Sequence, residues 1–289
     1  MGSTITYSAI GECGRLGNQM FQIATVIGTA KKHNADWLIP VPIPHYKDDK
    51  IVGYNHNAFF GEGLNFRVVN ADWIKNYPNK MVYSETVINF TEIDLSEGIA
   101  QFPHVIYDLK GFFQSWKYFA NAEEEVRNIF SLKAYQPEVY SFKREIGLTV
   151  LNQKWIAVGI RLTDYLEKKD FYYNLIEETD YYQKAFDYFS NKYACKFVIF
   201  SDDILKAKVL INNLNTKHDF LFIDYRHSVD GLPLYASCDG FIVPNSTFHW
   251  WGAWLGNPDK NKDVTMPINW FKYPSYKAGD LYTENAILL

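Results

Sequence analysis

The chain has 289 residues, a length that suits one large domain or two lobes of about 150 residues each. Apolar residues make up 47% of the chain, which provides for a sizeable core and argues against global disorder. The formal net charge of -4 argues against a nucleic-acid-binding protein, because such proteins normally carry a basic face.

The sequence contains no apolar run of about 18 residues that would predict a membrane-spanning helix. Its opening segment, MGSTITYSAIGECG, lacks the basic start and the long apolar centre of a signal peptide. We therefore expect a cytoplasmic protein without a membrane partner. The sequence does not indicate an oligomeric state.

The N-terminal half begins with a predicted strand at residues 4–10, followed by a loop with several glycines. A helix is predicted from about Asn18 to His33, because apolar residues recur there at helical spacing. Further strands are predicted at 35–40, 66–69 and 105–109, a Pro- and Gly-rich loop at 41–63, and a helix near 117–131.

Short apolar strands alternate with helices through the C-terminal half. The predicted strands are 154–161, 196–201, 219–224, 240–244 and 264–267, and the predicted helices are 180–193, 202–214, around 231–237, and 246–256. This alternation predicts a doubly wound, Rossmann-like lobe with a parallel sheet covered on both faces. We therefore divide the chain into lobes 1–150 and 151–289 and expect a cleft between them, with ligands beyond the carboxyl ends of the strands.

The glycine loop GECGRLGNQMF is the first stretch that suggests chemistry. It matches neither G-x-G-x-x-G nor a P-loop, so both common phosphate-binding patterns fail. Its glycines still allow close backbone approach to a ligand, the helix N-terminus favours an anion, and Arg15 adds a positive charge. The alternative is a tight turn in which Asn18 caps the helix, and the spacing alone leaves both open.

Three further stretches follow predicted strands. In VGIRLTDYL, Arg161 must be paired or must face a ligand, and Asp164 is a candidate partner; the alternative is a structural Arg–Asp pair. In FSDD, the carboxylates either accept hydrogen bonds from a guanine edge or cap the next helix. The histidines lack zinc-type spacing and no third carboxylate is indicated nearby, so we expect no metal.

The last of these stretches is VPNSTFHWWGAWLG. Ser246 and Thr247 bring hydroxyl groups, and together with Asn245 they bring helix-terminal N–H groups that suit a phosphate. Phe248 and the tryptophans fit core packing better than a sugar platform, and His249 fits a packed histidine better than a base.

Together these stretches resemble the α-1,2-fucosyltransferases of glycosyltransferase family 11. GRLGNQMFQIA is similar to the family's G-G/R-L-G-N-Q-M-F-Q-Y-A, and GIRLTDYL stands where the family has H-I-R-R-G-D-Y. FSDD matches F-S-D-D, VPNSTFHWWGAWL resembles A-N-S-S-F-S-W-W-G-A-W-L, and MPINWF resembles the P-x-x-W-F ending. The matches keep the family order from residue 14 to about residue 271.

The resemblance implies a GT-B-type fold of two Rossmann-like lobes, with 1–150 on the acceptor side and 151–289 binding the donor. It implies GDP-fucose as donor, no metal or other cofactor, and inverting transfer to a glycan, with the 2-hydroxyl of galactose as the expected acceptor. Arg161 matches the arginine that grips the donor pyrophosphate, and Asn18 matches the loop asparagine at the reaction centre. The donor-binding positions implied in this way are Gly14, Arg15, Gly17, Asp164, Tyr165, Ser201, Asp202, Asp203, Asn245, Ser246, Thr247 and Phe248.

The chain departs from the family pattern at three positions. Gly159 stands where the family has His, Leu162 where it has a second Arg, and Thr163 where it has Gly. Loss of a cation is expected to weaken pyrophosphate binding by about 1.5–3 kcal/mol, and Arg15 is a candidate to compensate. The open alternatives are another GDP-sugar or a protein acceptor, a non-catalytic GDP- or glycan-binding homologue, and an unrelated α/β protein with structural glycines.

Overall fold

The computed structural model describes residues 2–12, 14–41, 46–47, 50–51, 68–87, 89–147, 152–163, 165, 179–214, 216–223, 228–273 and 278–289. Asp164 and most of the predicted 41–63 loop lie outside these residues. The chain divides into two compact units, Met1–Ser131 with Gly279–Leu281, and Leu132–Ala278 with Tyr282–Leu289. The division between the units therefore falls ahead of the lobe boundary at residue 150 that the sequence suggests.

The first unit contains a four-stranded parallel sheet in the order β2-β1-β8-β7. Its strands in the described part of the chain are β1 (Thr4–Thr6), β2 (Asp36–Trp37), β3 (Ile39–Val41), β4 (Tyr46–Lys47), β5 (Lys50–Ile51), β6 (Val68–Asn70), β7 (Lys80–Ser84) and β8 (Ile106–Lys110). Its helices are α1 (Leu16–Lys32), α2 (Ala71–Lys75), α3 (Ser96–Gln101) and α4 (Glu123–Ile129), with a 3-10 helix at Trp116–Ala122. Helix α1 is buried from Leu16 to Ala30 except at the partly exposed Asn18, so it forms the centre of this unit's core.

The second unit contains six parallel strands in the order β11-β10-β9-β12-β13-β14. Their bounds are β9 (Lys154–Ile160), β10 (Cys195–Ser201), β11 (Phe220–Ile223), β12 (Gly240–Ile242), β13 (Val264–Met266) and β14 (Ala286–Leu288). The helices are α5 (Gln136–Glu145), α6 (Tyr181–Lys192), α7 (Ile204–Asn213), α8 (Ser228–Ala236) and α9 (Thr247–Gly256), with a 3-10 helix at Lys133–Tyr135. Counted from β9 as the first, this is the 3-2-1-4-5-6 order of a Rossmann fold.

The central strand β9 shows why the sequence forms this layered core. Its side chains from Trp155 to Ile160 are all buried, as expected for a strand with helices on both faces. Ile156, Val158 and Ile160 pack in one cluster with residues of α6 and α7, and Leu162 continues the same face. Arg161 therefore projects from the opposite face of the strand.

The structure confirms the predicted strands of the second half, with ends that differ by at most two residues, and the Rossmann-like assignment. It differs from the predictions in the first half: β1 is shorter than 4–10, and the predicted strand 35–40 is divided into β2 and β3. Strands β7 and β14 were not predicted from the sequence. No helix in the described part of the chain combines the length and apolar character that a membrane span requires.

Candidate active site

The order of the second sheet marks a position where ligands bind in Rossmann folds. Strand β10 follows β9 along the chain on one side, whereas β12 lies on the other side, so the strand order reverses between β9 and β12. Ligands of open α/β sheets bind beyond the carboxyl ends of the strands at this reversal. Arg161 directly follows β9, and the segment 243–246 joins β12 to helix α9.

Arg161 is fixed at this position by Asp202, which follows β10. The Arg161 Nη1 atom lies 2.7 Å from Asp202 Oδ2, and the two side chains are only 16% and 19% exposed. Asp202 also accepts hydrogen bonds from the Leu162 backbone N–H at 2.9 Å and from the Thr163 hydroxyl at 2.5 Å. The Tyr165 ring lies 5.7 Å from the guanidinium carbon, within cation–π distance. Asp202 thus gives Arg161 one orientation at the end of β9.

The pairing bears on two expectations from the sequence. The proposed contact of Arg161 with Asp164 concerns a residue outside the described part of the chain, and Asp202 makes an ion pair with Arg161. Leu162, which replaces the family's second arginine, is 3% exposed and packs in the core cluster on the other face of β9. The side chain at position 162 therefore does not belong to the arginine site in this structure.

Ser201 and Asp203 make a local cap beside this pair. The Asp203 carboxylate accepts from the Lys206 backbone N–H at 3.0 Å and caps helix α7. This hydrogen bond lowers the pKa of the Asp203 carboxyl below its usual value. The Ser201 hydroxyl accepts from the Asp203 N–H at 3.1 Å. Of the two uses considered for the Asp pair, Asp203 makes the helix cap, while Asp202 faces Arg161.

The turn from β12 into α9 is held by buried polar contacts. The Tyr165 hydroxyl donates to the Asn245 carbonyl at 2.7 Å, and the Asn245 amide donates to the Trp270 carbonyl at 3.3 Å. Asn245 and Ser246 are 2% and 4% exposed, whereas the first helical residues, Thr247 and Phe248, are partly exposed. Ser246 is the N-cap residue and makes no capping bond through its side chain to the described residues. The first-turn N–H groups of α9 therefore form the kind of helix end that binds anions.

His249 lies in the same turn of α9 and packs against β9. Its ring is 3% exposed and makes aromatic contacts with Tyr235 and Phe248. Among the described residues neither ring nitrogen has a hydrogen-bond partner, and each unpaired buried group of this kind costs about 1–3 kcal/mol. Burial, followed by the charge of Arg161, lowers the pKa of the imidazole to about 3, so the ring is neutral at pH 7. The packed histidine expected from the sequence is confirmed. Packing alone, however, does not explain why a ring with two buried nitrogens, both unpaired among the described residues, stands here.

The glycine loop of the first unit places Asn18 in a fixed position. Helix α1 begins at Leu16 with Arg15 as its N-cap residue, so the interpretation of Asn18 as the cap is wrong. Gly14 has φ +82°, and a Cβ atom there would lie 2.2 Å from Asn18 Nδ2. Gln114 Nε2 donates to Asn18 Oδ1 at 2.9 Å. Gly17, which adjoins Asn18, is buried in the first turn of the helix.

Gln114 is a site residue that sequence reasoning missed. It follows β8, and the first sheet reverses its strand order between β1 and β8, so the loops after these two strands meet. Glu85, at the end of β7, accepts hydrogen bonds from the backbone N–H groups of Phe112 at 2.8 Å and Phe113 at 3.1 Å. Burial raises the pKa of the Glu85 carboxyl. Glu85 thus shapes the loop that presents Gln114. The only sequence signal was the position of Gln114 after the predicted strand 105–109, because β7 ahead of Glu85 was not predicted.

The structure brings the predicted site residues together in two groups, one in each unit. The first group is Gly14, Arg15, Gly17 and Asn18, and the second is Arg161, Tyr165, Ser201, Asp202, Asp203, Asn245, Ser246, Thr247 and Phe248. Within the described ranges, no three His, Cys, Asp or Glu side chains gather as a metal site requires. The expectation of no metal stays a prediction.

Comparison with known proteins gives a consistent result. The sequence model of Glycosyl transferase family 11 matches residues 3–284. An alpha-1,2-colitosyltransferase of Escherichia coli is 26% identical over 92% of this chain and 93% of its own length. Galactoside alpha-(1,2)-fucosyltransferase 2 of Rattus norvegicus is 24% identical over 86% of this chain and 67% of its own length. The crystal structure of POFUT1 in complex with GDP-fucose shares the fold, with a TM-score of 0.53 and 12% identity over 90% of this chain and 95% of that one. The expected GT-B-type fold of two Rossmann-like lobes is confirmed.

Proposed function

Since the chain belongs to glycosyl transferase family 11, we propose that it transfers fucose from GDP-fucose to a glycan hydroxyl, with inversion at the anomeric carbon. The 2-hydroxyl of galactose is the expected acceptor, because the relatives include a galactoside alpha-(1,2)-fucosyltransferase. The observation that carries the proposal is the Arg161–Asp202 pair at the reversal of the second sheet. An oriented cation at this position supports donor binding there, because Rossmann folds bind nucleotides at such a reversal.

In the proposed reaction the acceptor oxygen attacks the anomeric carbon of fucose to form the new glycosidic bond, and its proton is released to water. The bond from that carbon to the β-phosphate oxygen breaks, and GDP leaves with the bonding electrons. Negative charge therefore builds on the β-phosphate as the transition state forms. Arg161 and the first-turn N–H groups of α9, at Thr247 and Phe248, stabilise this charge. One such donor contributes about 10²–10³ in rate.

We assign a further role in the reaction to Asn18, whose side-chain amide orients the reacting groups. Its side chain is held between Gln114, which donates to Oδ1, and the backbone of Gly14 beside Nδ2. A fixed side chain loses little entropy when it binds a ligand, so this preorganisation favours catalysis. Arg15, exposed at the start of α1, adds positive charge to the same loop.

One specific observation supports GDP-colitose as a second candidate donor. The Escherichia coli colitosyltransferase aligns with nearly the whole chain at 26% identity, so GDP-colitose is the competing donor. Colitose is fucose without the 3-hydroxyl group, and an enzyme that hydrogen-bonds this hydroxyl discriminates strongly between the two sugars.

The test is a transfer assay with GDP-fucose or GDP-colitose and a panel of galactosides, in which GDP release and glycan mass are both measured. We expect GDP release that depends on the acceptor, and a product heavier by one deoxyhexose. Arg161→Ala should abolish transfer, whereas Arg144→Ala, a change of an exposed arginine on α5, should leave it intact. Full activity of Arg161→Ala would remove Arg161 from the mechanism. Binding of GDP without transfer by the unmodified chain would favour a non-catalytic homologue.

A further inference from the structure

His249 occupies the space above Gly159 at the carboxyl end of β9. A Cβ atom built on Gly159 would lie 2.5 Å from the Cδ2 and Cγ atoms of the His249 ring and 2.6 Å from Pro244 Cδ. Such distances are too short for any side chain at position 159 while the ring stays in place. Glycine on the strand and histidine on the helix are therefore complementary, and the imidazole that stands at this strand end comes from α9.

Packing does not account for an imidazole at this position. Both ring nitrogens are buried, and neither has a hydrogen-bond partner among the residues that the structure describes. A phenyl ring fills nearly the same space without polar atoms that must be desolvated. Buried polar groups without partners in native proteins call for a specific explanation, such as a ligand or a catalytic role.

The surroundings of His249 indicate what that ligand is. Among the described residues, the charged groups that act on the imidazole are Arg161 and Asp202, which form the ion pair at the ends of β9 and β10. His249 also belongs to the first turn of α9, whose N–H groups suit an anion. A neutral imidazole has one N–H donor and one acceptor nitrogen, and it can bond to phosphate oxygens or to a nucleoside.

We infer that His249 is a further binding residue for the sugar-nucleotide donor, whose nucleoside diphosphate forms a hydrogen bond with the imidazole. The inference rests on the proposed function, since it assumes that the donor lies beside Arg161. Both nitrogens are covered in this structure, so the ring turns towards the donor as the donor binds. The hydrogen bond then satisfies a polar group that the folded protein otherwise leaves unpaired.

The experiment compares His249→Phe with the unmodified chain by calorimetric titration of GDP and of inorganic pyrophosphate. We expect His249→Phe to fold with an equal or higher melting temperature and to bind GDP at least 10-fold more weakly. An equal loss with pyrophosphate places the bond on the diphosphate, and a loss with GDP alone places it on the nucleoside. The matched control is Tyr235→Phe, which removes a hydroxyl bonded to the Ile242 carbonyl from the same packing group and should not change GDP affinity.

The outcomes separate this inference from the proposed function. GDP affinity within twofold of the unmodified chain in His249→Phe overturns the inference and leaves the proposed function standing. If the unmodified chain does not bind GDP, both fail. If phenylalanine does not fit, His249→Asn and His249→Leu repeat the comparison, because asparagine keeps a hydrogen-bonding amide and leucine does not. Equal GDP affinity of these two variants also overturns the inference.

Discussion

Gly159→Ala tests the complementarity between strand β9 and helix α9 directly. The added methyl group would lie 2.5 Å from two carbons of the His249 ring and 2.6 Å from Pro244 Cδ. The ring packs against Tyr235 and Phe248, so pushing it away from Gly159 would disturb both contacts. Overpacking of a core by one methyl group costs about 1–3 kcal/mol, and each kcal/mol lowers the melting temperature of a domain this size by about 2–4 °C.

The assay is denaturant unfolding of four proteins: the unmodified chain, Gly159→Ala, His249→Ser and the double variant. We expect the cost of Gly159→Ala to fall by at least about 1 kcal/mol in the serine background, since the clashing ring is then absent. Recovery is partial because the contact with Pro244 remains. Gly279→Ala is the matched control: a Cβ atom there has no neighbour within 4 Å, and the expected change is within about 0.5 kcal/mol. Full stability of Gly159→Ala, or additive effects in the double variant, would refute the reasoning.

Three further predictions concern other parts of the site. Gln114→Leu removes the donor to Asn18 Oδ1, so kcat should fall about 10-fold or more while GDP affinity stays unchanged; an unchanged kcat contradicts the role given to Asn18. Thr247→Glu places a negative charge in the first turn of α9, so we expect a small gain in stability, about 0.3–1 kcal/mol, together with weaker GDP binding by calorimetry; undiminished binding argues against an anion site there. The pKa of His249 is about 3 when folded and about 6.5 when unfolded, so the unfolded chain binds more protons below pH 6.5. The free energy of unfolding should therefore have its full value above this pH and fall by about 2 kcal/mol between pH 7 and pH 5. An equal decrease in the free energy of unfolding of a His249→Phe variant over the same pH range contradicts the prediction.

The parts of the fold that the sequence predicts well are those with a strong burial pattern. Strands β9 and β10 are nearly continuous apolar runs because helices cover both faces, and α1 shows a buried stripe at helical spacing. By contrast, β7 has Val82 58% exposed and, among the described strands, pairs with β8 alone, so its pattern resembles a loop. Strand β14 has three residues, none of them fully buried, and gives no periodic signal.

The site divides in a similar way. Arg161 and the Asn245–Thr247 turn can be predicted from the sequence, because each directly follows an apolar strand and lies in a stretch that resembles a family motif. The side chains that bind Arg161 and Asn18 cannot be predicted in this way, because they follow other strands. Asp202 is 41 positions from Arg161, and Gln114 is 96 positions from Asn18. The local spacing suggested Asp164 as the partner of Arg161 and no partner for Asn18. Contacts between residues that follow different strands of a parallel sheet cannot be inferred from the neighbouring sequence.

The central claim is that Arg161 grips the diphosphate of the donor, and titration of GDP tests it most directly. We predict that the unmodified chain and Arg144→Ala bind GDP equally, and that Arg161→Ala binds it about 10- to 150-fold more weakly. This range corresponds to the loss of a charged hydrogen bond of about 1.5–3 kcal/mol. Equal GDP affinity for all three proteins, with Arg161→Ala folded, would contradict the account.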